Sequence, residues 1–136
     1  MNIRTLFAHP RFLPRVLLVD AVATGATAVL LLAGAEFLQP LLQLPVVLLR
    51  GAGLFLVPFV ACVAVLSRMQ QVPPRAMAAV VAINAAWVVA SIWLVVGGPF
   101  QPSILGTAFV LMQAAVVAVF ADLGWFGLRA VPHARA

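Results

Sequence analysis

Four apolar runs, each about as long as one helical crossing of a bilayer, fill this chain and leave little beyond turns. A hydrocarbon core about 30 Å thick takes about 20 apolar residues of helix. Inside it every backbone N–H and C=O must be bonded within the protein, which for separate runs means α-helix. Charged residues are 8% of the 136 positions, so the polar skin that water requires is missing. The expected fold is all-α: a polytopic membrane protein, an antiparallel bundle of four transmembrane helices forming a single domain over 1–136.

Prolines and short polar clusters mark the breaks. Pro14 introduces the first span, 16–38, and Gln39 with Pro40 reads as the turn that closes it. A linker at 41–44 leads to Pro45, well placed in the first turn of span two, 46–67. Arg68, Gln70, Gln71, Pro73, Pro74 and Arg75 separate it from span three, 76–96, which stops at Gly97, Gly98 and Pro99. Pro102 and Ser103 open span four, 104–128. Arginines ahead of an apolar stretch also suit a signal peptide. Here Asp20 interrupts the stretch, which then runs on to Leu38, so a retained first span is expected.

The basic balance comes from eight arginines without a lysine, against Asp20, Glu36 and Asp122. Arg4, Arg11 and Arg15 precede span one, Arg68 and Arg75 lie between spans two and three, and Arg129 and Arg135 follow span four. Seven of the eight arginines thus share one side of a four-span chain. The excess of Lys and Arg in cytoplasmic loops places both termini in the cytoplasm, with the chain in a bacterial inner membrane. Arg50 alone falls on the outer side, where Glu36 is its expected partner in closing the first hairpin. Arginines spread singly over helix ends form no basic patch with stacking aromatics, so nucleic acid is not an expected partner. Trp93 and Trp125 fall near opposite interfaces, where indoles are favoured.

Spans one and three align without a gap. VDAVATGATAVLLLAG at 19–34 lies over INAAWVVASIWLVVGG at 83–98, matching Asp20 with Asn84, Thr27 with Ser91 and Gly34 with Gly98. Each stretch is followed by a phenylalanine and Gln-Pro, Phe37 with Gln39 and Pro40, and Phe100 with Gln101 and Pro102. Apolar helices align readily by chance. The other reading is a duplicated helical hairpin, whose copies would be related by an axis along the membrane normal.

Within the spans, polar side chains are few and placed on stripes. Asp20, Thr24 and Thr27 share one face of span one, and Asn84, Trp87 and Ser91 share one face of span three. Gln113 is the deepest polar group of span four. A carboxylate costs about 2.5–3.5 kcal/mol at the centre of an inserted helix. Asp20, Thr24, Thr27, Asn84, Ser91 and Gln113 therefore form the candidate polar seam. One reading is helix glue, with Asp20 and Asn84 hydrogen-bonding across a packed interface. The other is a transport path with Asp20 as its proton or cation site. Glu36, Arg50 and Asp122 are the candidate interfacial charges, and an ion pair with Arg68, Arg75 or Arg129 is the expectation for Asp122. Pro58 should kink span two by freeing the carbonyl of Leu54.

Small residues recur at Ala78, Ala82, Ala86 and Ala90, a ridge that lets a second helix approach closely. Shorter ridges occur at Ala21 and Gly25 and at Ala114 and Ala118, and Gly51 with Gly53 permits a close approach beside Arg50. Four spans cannot enclose every ridge, so a homo-oligomer or a larger membrane complex is a natural partner besides the lipid bilayer. Cys62, the single cysteine, excludes an intrachain disulfide and reads as a small packing residue. His9 and His133 lie in the tails, so paired haem ligation at membrane depth is not available. No metal-protease, phosphate-loop or nucleophile motif is present. No cofactor, metal or catalytic residue is expected, and neither is an enzyme.

LLVDAVATGATAVLLLAGA in span one, LPVVLLRGAGLFLVPF with Arg50, Gly53 and Pro58, INAAWVVAS with Asn84 and Trp87, ILGTAFVLMQA with Gly106 and Gln113, and the closing GLR at 127–129 occur in that order. In this order of features the chain resembles an uncharacterised group of small bacterial integral membrane proteins with four spans. The resemblance covers most of the chain, implies the four-span fold and transfers no site. The functional expectation is a non-enzymatic helix-packing module, a homo-oligomer or an accessory subunit. The alternative is a small-solute, ion or proton transporter or channel built on Asp20 and Asn84.

Overall fold

A computed structural model describes residues 3–130; Arg135 and His133 of the tail, and the side chain of Arg4, lie outside what is described. It holds six helices: α1 Ile3–Ala8, α2 Phe12–Ala33, α3 Ala35–Leu42, α4 Val46–Ser67, α5 Pro74–Val96 and α6 Ile104–Ala130. Among the described residues there is no strand. Four helices, α2, α4, α5 and α6, are long and apolar enough to cross a membrane. The protein is a multi-pass membrane protein with a four-helix bundle whose apolar helices contact the lipid bilayer.

Spans two to four lie where the breaks put them, with α5 and α6 each about half a turn longer. Span one differs at both ends: its helix begins at Phe12, four residues early, with Pro14 inside the first turn, where a missing N–H costs no helical bond. Its helix stops at Ala33, Gly34 caps it with an N–H donated to the Leu30 carbonyl at 2.8 Å, and a separate helix, α3, begins one residue later. Gln39 and Pro40, read as a turn, sit inside α3, and the chain reverses instead at Gln43, whose φ of 54° is left-handed. Pro40 has no N–H to offer the Glu36 carbonyl, yet its fixed φ suits a helix. Eight residues then suffice to bring Leu38 and Leu42 into the core.

The spans pack as two hairpins, α2 against α4 and α5 against α6, joined chiefly where α2 meets α6. Small residues set these approaches. A Cβ on Gly53 of α4 would sit 2.8 Å from the Leu32 side chain of α2, whereas one on Gly51 would meet nothing. Gly124 of α6 receives Met77 and Val81 of α5, and Gly127 receives Leu13 and Phe12 of α2. The core has two clusters, one around Leu31, Leu42, Leu49 and Val110, the other around Leu17, Val63, Met77 and Val80. In lipid these contacts stabilise through close packing, since the hydrocarbon outside is as apolar as leucine. The backbones of α4 and α5 stay apart over nearly their whole length. A ring stack, Phe55 on Trp87 with centroids 5.9 Å apart, bridges them. At the expected cytoplasmic end α1 closes on the bundle through Phe7, stacked on Phe126 at 5.8 Å and edge-on to Phe12 at 5.0 Å.

Candidate functional site

The seam residues come from three helices, and the structure joins them in two groups. In the first, Asp20 of α2 accepts hydrogen bonds on both carboxylate oxygens: from the Thr24 hydroxyl at 2.7 Å, and from Asn84 Nδ2 of α5 at 3.3 Å. Thr24 is one turn beyond Asp20, so its bond forms within the helix; the Asn84 bond crosses from one hairpin to the other. Asp20 is 2% exposed and Asn84 4% exposed. The helical rise puts Asp20 about 12 Å past the start of α2 and about 8 Å past the exposed Arg15. Asp20 and Asn84 are also the matched positions of the aligned stretches in spans one and three.

In the second group Gln113 of α6 spends its whole amide. Its Oε1 accepts from Trp87 Nε1 at 2.7 Å, and its Nε2 donates to Ser91 Oγ at 3.0 Å and to the Val110 carbonyl at 2.7 Å. Ser91 in turn donates to the Trp87 carbonyl at 2.8 Å. Thr27 stays out of both groups and donates to the Ala23 carbonyl of its own helix at 3.0 Å. The indole of Trp87 thus does more than fill the stripe between Asn84 and Ser91. It holds α5 to α6 with its N–H and α5 to α4 with its ring. Sequence spacing put Trp87 on the right face but could not reveal that Gln113 faces it, because that depends on the rotation of α6.

The seam borders a cleft of about 260 Å³, lined by all four spans and including Thr24, Thr27, Asn84, Trp87 and Gln113. Phe55, Phe59, Phe109 and Phe120 form its aromatic walls. A second cleft of about 240 Å³ reaches from the same waist toward Leu44, Trp93 and Leu94. Both share Thr27, Trp87, Phe109 and Gln113, so the Trp87–Gln113 pair stands between them.

The interfacial charges divide. Arg50 and Glu36 pair at 3.0 Å, with the arginine side chain 47% and the glutamate 80% exposed. Asp122 is exposed and has no ion pair among the described residues, contrary to the expected partnership with Arg68, Arg75 or Arg129. The rotation of α6 turns it outward, and Arg129 lies instead over the Trp125 ring, 5.6 Å from its centroid. Cys62 also faces outward and packs nothing in the interior. Ala21 and Ala114 are buried at helix contacts, whereas Ala78, Ala82, Ala86 and Ala90 are all exposed. Among the described residues no group of three or more His, Cys, Asp or Glu is placed to hold a metal ion.

No protein-family model matches the chain, and neither a curated protein nor a solved structure matches it.

Proposed function

We propose that this chain is a non-enzymatic module of a bacterial cytoplasmic membrane, oriented with both ends inside, that associates with further copies of itself through α5. The outward ridge carries the reading. Ala78, Ala82, Ala86 and Ala90 are exposed along one edge of the span that the bundle buries least, 17% of its apolar window against 22–33% for the others. A ridge of small residues brings two backbones close enough for dense packing, which is the main attraction available between helices in lipid. A second copy is the occupant that fits. The arginine bias inserts every copy the same way round, so two α5 ridges lie at the same depth and in register along their length.

The polar seam supports a structural role on the same terms. Among the described residues no fully enclosed side-chain polar atom lacks a hydrogen bond. Asp20 with Asn84, and Gln113 with Trp87 and Ser91, hold helices to one another across it.

The test begins from a Cys62→Ser background, which removes the native thiol. Single cysteines at Ala82 and Ala86 are introduced, with controls at the lipid-facing Val47 and Val119, exposed 83% and 53%. Oxidation in native membranes should trap a disulfide dimer through Ala82 or Ala86 and little through the controls. Equal trapping at all four positions would mean random collision and end the proposal.

A further inference from the structure

We infer that the cleft beside Asn84 is a binding site for a lipophilic ammonium, a protonated amine on an apolar body, which enters from the hydrocarbon phase. This goes beyond the self-association proposed above and does not depend on it.

The route of access follows from the rim. Phe55, Ile83, Met112 and Val116 line the cleft and are 39–66% exposed. Ile83 lies about 14 Å from the start of α5, and Met112 about 12 Å from the start of α6, counted from opposite faces. The rim therefore sits near the bilayer midplane, where the surroundings are lipid chains. A ligand arriving there carries enough apolar surface to dissolve in lipid.

The polar side of the cleft selects what that ligand bears. The Thr24 hydroxyl is already donated to Asp20 and the Thr27 hydroxyl to Ala23, while the Trp87 N–H and both Gln113 N–H groups are donated within the second group. What remains is one Asn84 N–H and, in greater number, acceptors: the hydroxyl lone pairs and the Asn84 carbonyl oxygen. With Asn84 Nδ2 turned to Asp20, its Oδ1 accepts no hydrogen bond among the described residues. No fully enclosed polar atom there lacks a partner, so this oxygen has open space beside it, and Asn84 lines the cleft. A donor is the complement to such a wall.

Charge points the same way. The Asp20 carboxyl lies directly behind Thr24 and Asn84 with no arginine paired to it among the described residues, so a bound ammonium would supply the cation that favours its ionised form. Phe55, Phe59, Trp87 and Phe109 line the cleft, and a ring that turns a face to a bound cation adds the attraction of its quadrupole. Acceptors in front, a carboxylate behind and rings around them are the chemistry that retains an ammonium in a dry site.

The experiment uses the full chain in lipid nanodiscs with Trp93→Phe and Trp125→Phe, so that Trp87 is the only fluorophore. The probes are 4-phenylbutylammonium and pentylbenzene, alike in shape but not in charge, each corrected against empty nanodiscs. The ammonium should shift Trp87 emission saturably and bind about tenfold more tightly than the hydrocarbon. Asp20→Asn should remove most of that preference and leave pentylbenzene unaffected. Because Asp20 also joins the hairpins, Phe55→Leu at the exposed rim serves as a second variant and should weaken the ammonium several-fold. Equal binding of the two probes, a non-saturable response, or ammonium affinity unchanged in both variants would overturn the site.

Discussion

Gly106 is where the smallest change should have the largest structural effect. A Cβ there would overlap the carbonyl oxygen of Leu42 and stand 3.0 Å and 3.1 Å from the Leu42 carbonyl carbon and Cα. The obstacle is backbone, so no side chain can rotate away. Leu42 cannot easily yield, because it is 2% exposed and its carbonyl accepts the Ser103 N–H at 3.0 Å. The Ser103 hydroxyl is in turn donated to the Leu41 carbonyl at 2.6 Å. Gly106→Ala must therefore push α3 off α6 or stretch these bonds. Overpacking of this kind costs about 1–3 kcal/mol, and a lost hydrogen bond adds about 1 kcal/mol. The gain in helix propensity returns up to about 1 kcal/mol. A net loss of about 1–3 kcal/mol is expected. Gly51→Ala supplies the control, since a Cβ there meets nothing within 4 Å; it should be neutral or stabilising by up to about 1 kcal/mol. Unfolding of the purified protein by SDS in mixed micelles, followed by tryptophan emission, measures both. If Gly106→Ala unfolds at the wild-type SDS fraction, or Gly51→Ala proves the worse of the two, the docking of α3 on α6 is wrong.

Further outcomes follow from the seam and the outer hairpin. In a double-mutant cycle, Asp20→Leu and Asn84→Leu should show a coupling energy of about 0.5–1.5 kcal/mol in the same SDS assay, within the range such cycles give for hydrogen bonds between membrane helices. Coupling near zero would mean that the 3.3 Å contact does not join the hairpins. Trp87→Phe keeps a ring for Phe55 but strands Gln113 Oε1, and a loss of about 1 kcal/mol is expected. Gln113→Leu in that background should then cost much less than it does alone, which the same titration reads. Glu36→Ala should change stability by less than about 0.5 kcal/mol, because its pair with Arg50 is exposed. A large effect would place that pair in a drier setting than the structure gives it.

The crossings, their number and the ends of spans two to four were legible because lipid demands one kind of segment, and proline and glycine punctuate it visibly. Asp20 facing Asn84 and Glu36 facing Arg50 were also within reach of sequence, each being a lone polar group with few candidate partners. What stayed hidden depends on helix rotation. A membrane helix is apolar toward its neighbours and toward lipid alike, so no hydrophobic period marks its inner face. That is why the ridge at Ala78 and Ala82 could be seen but not assigned to the outside, and why Asp122 could be given arginine partners it does not meet. The helix at α3 was concealed for a local reason. Gly34, Gln39 and Pro40 carry strong turn signals, yet Pro40 fits a helix short enough to lose one internal bond.

The number of crossings is the claim on which every other placement rests, and its parity can be measured directly. Reporters active on one face of the membrane only, fused in turn to the two ends of the chain, should both report the cytoplasmic face. Signals from opposite faces would require an odd number of crossings and contradict the four-helix membrane bundle.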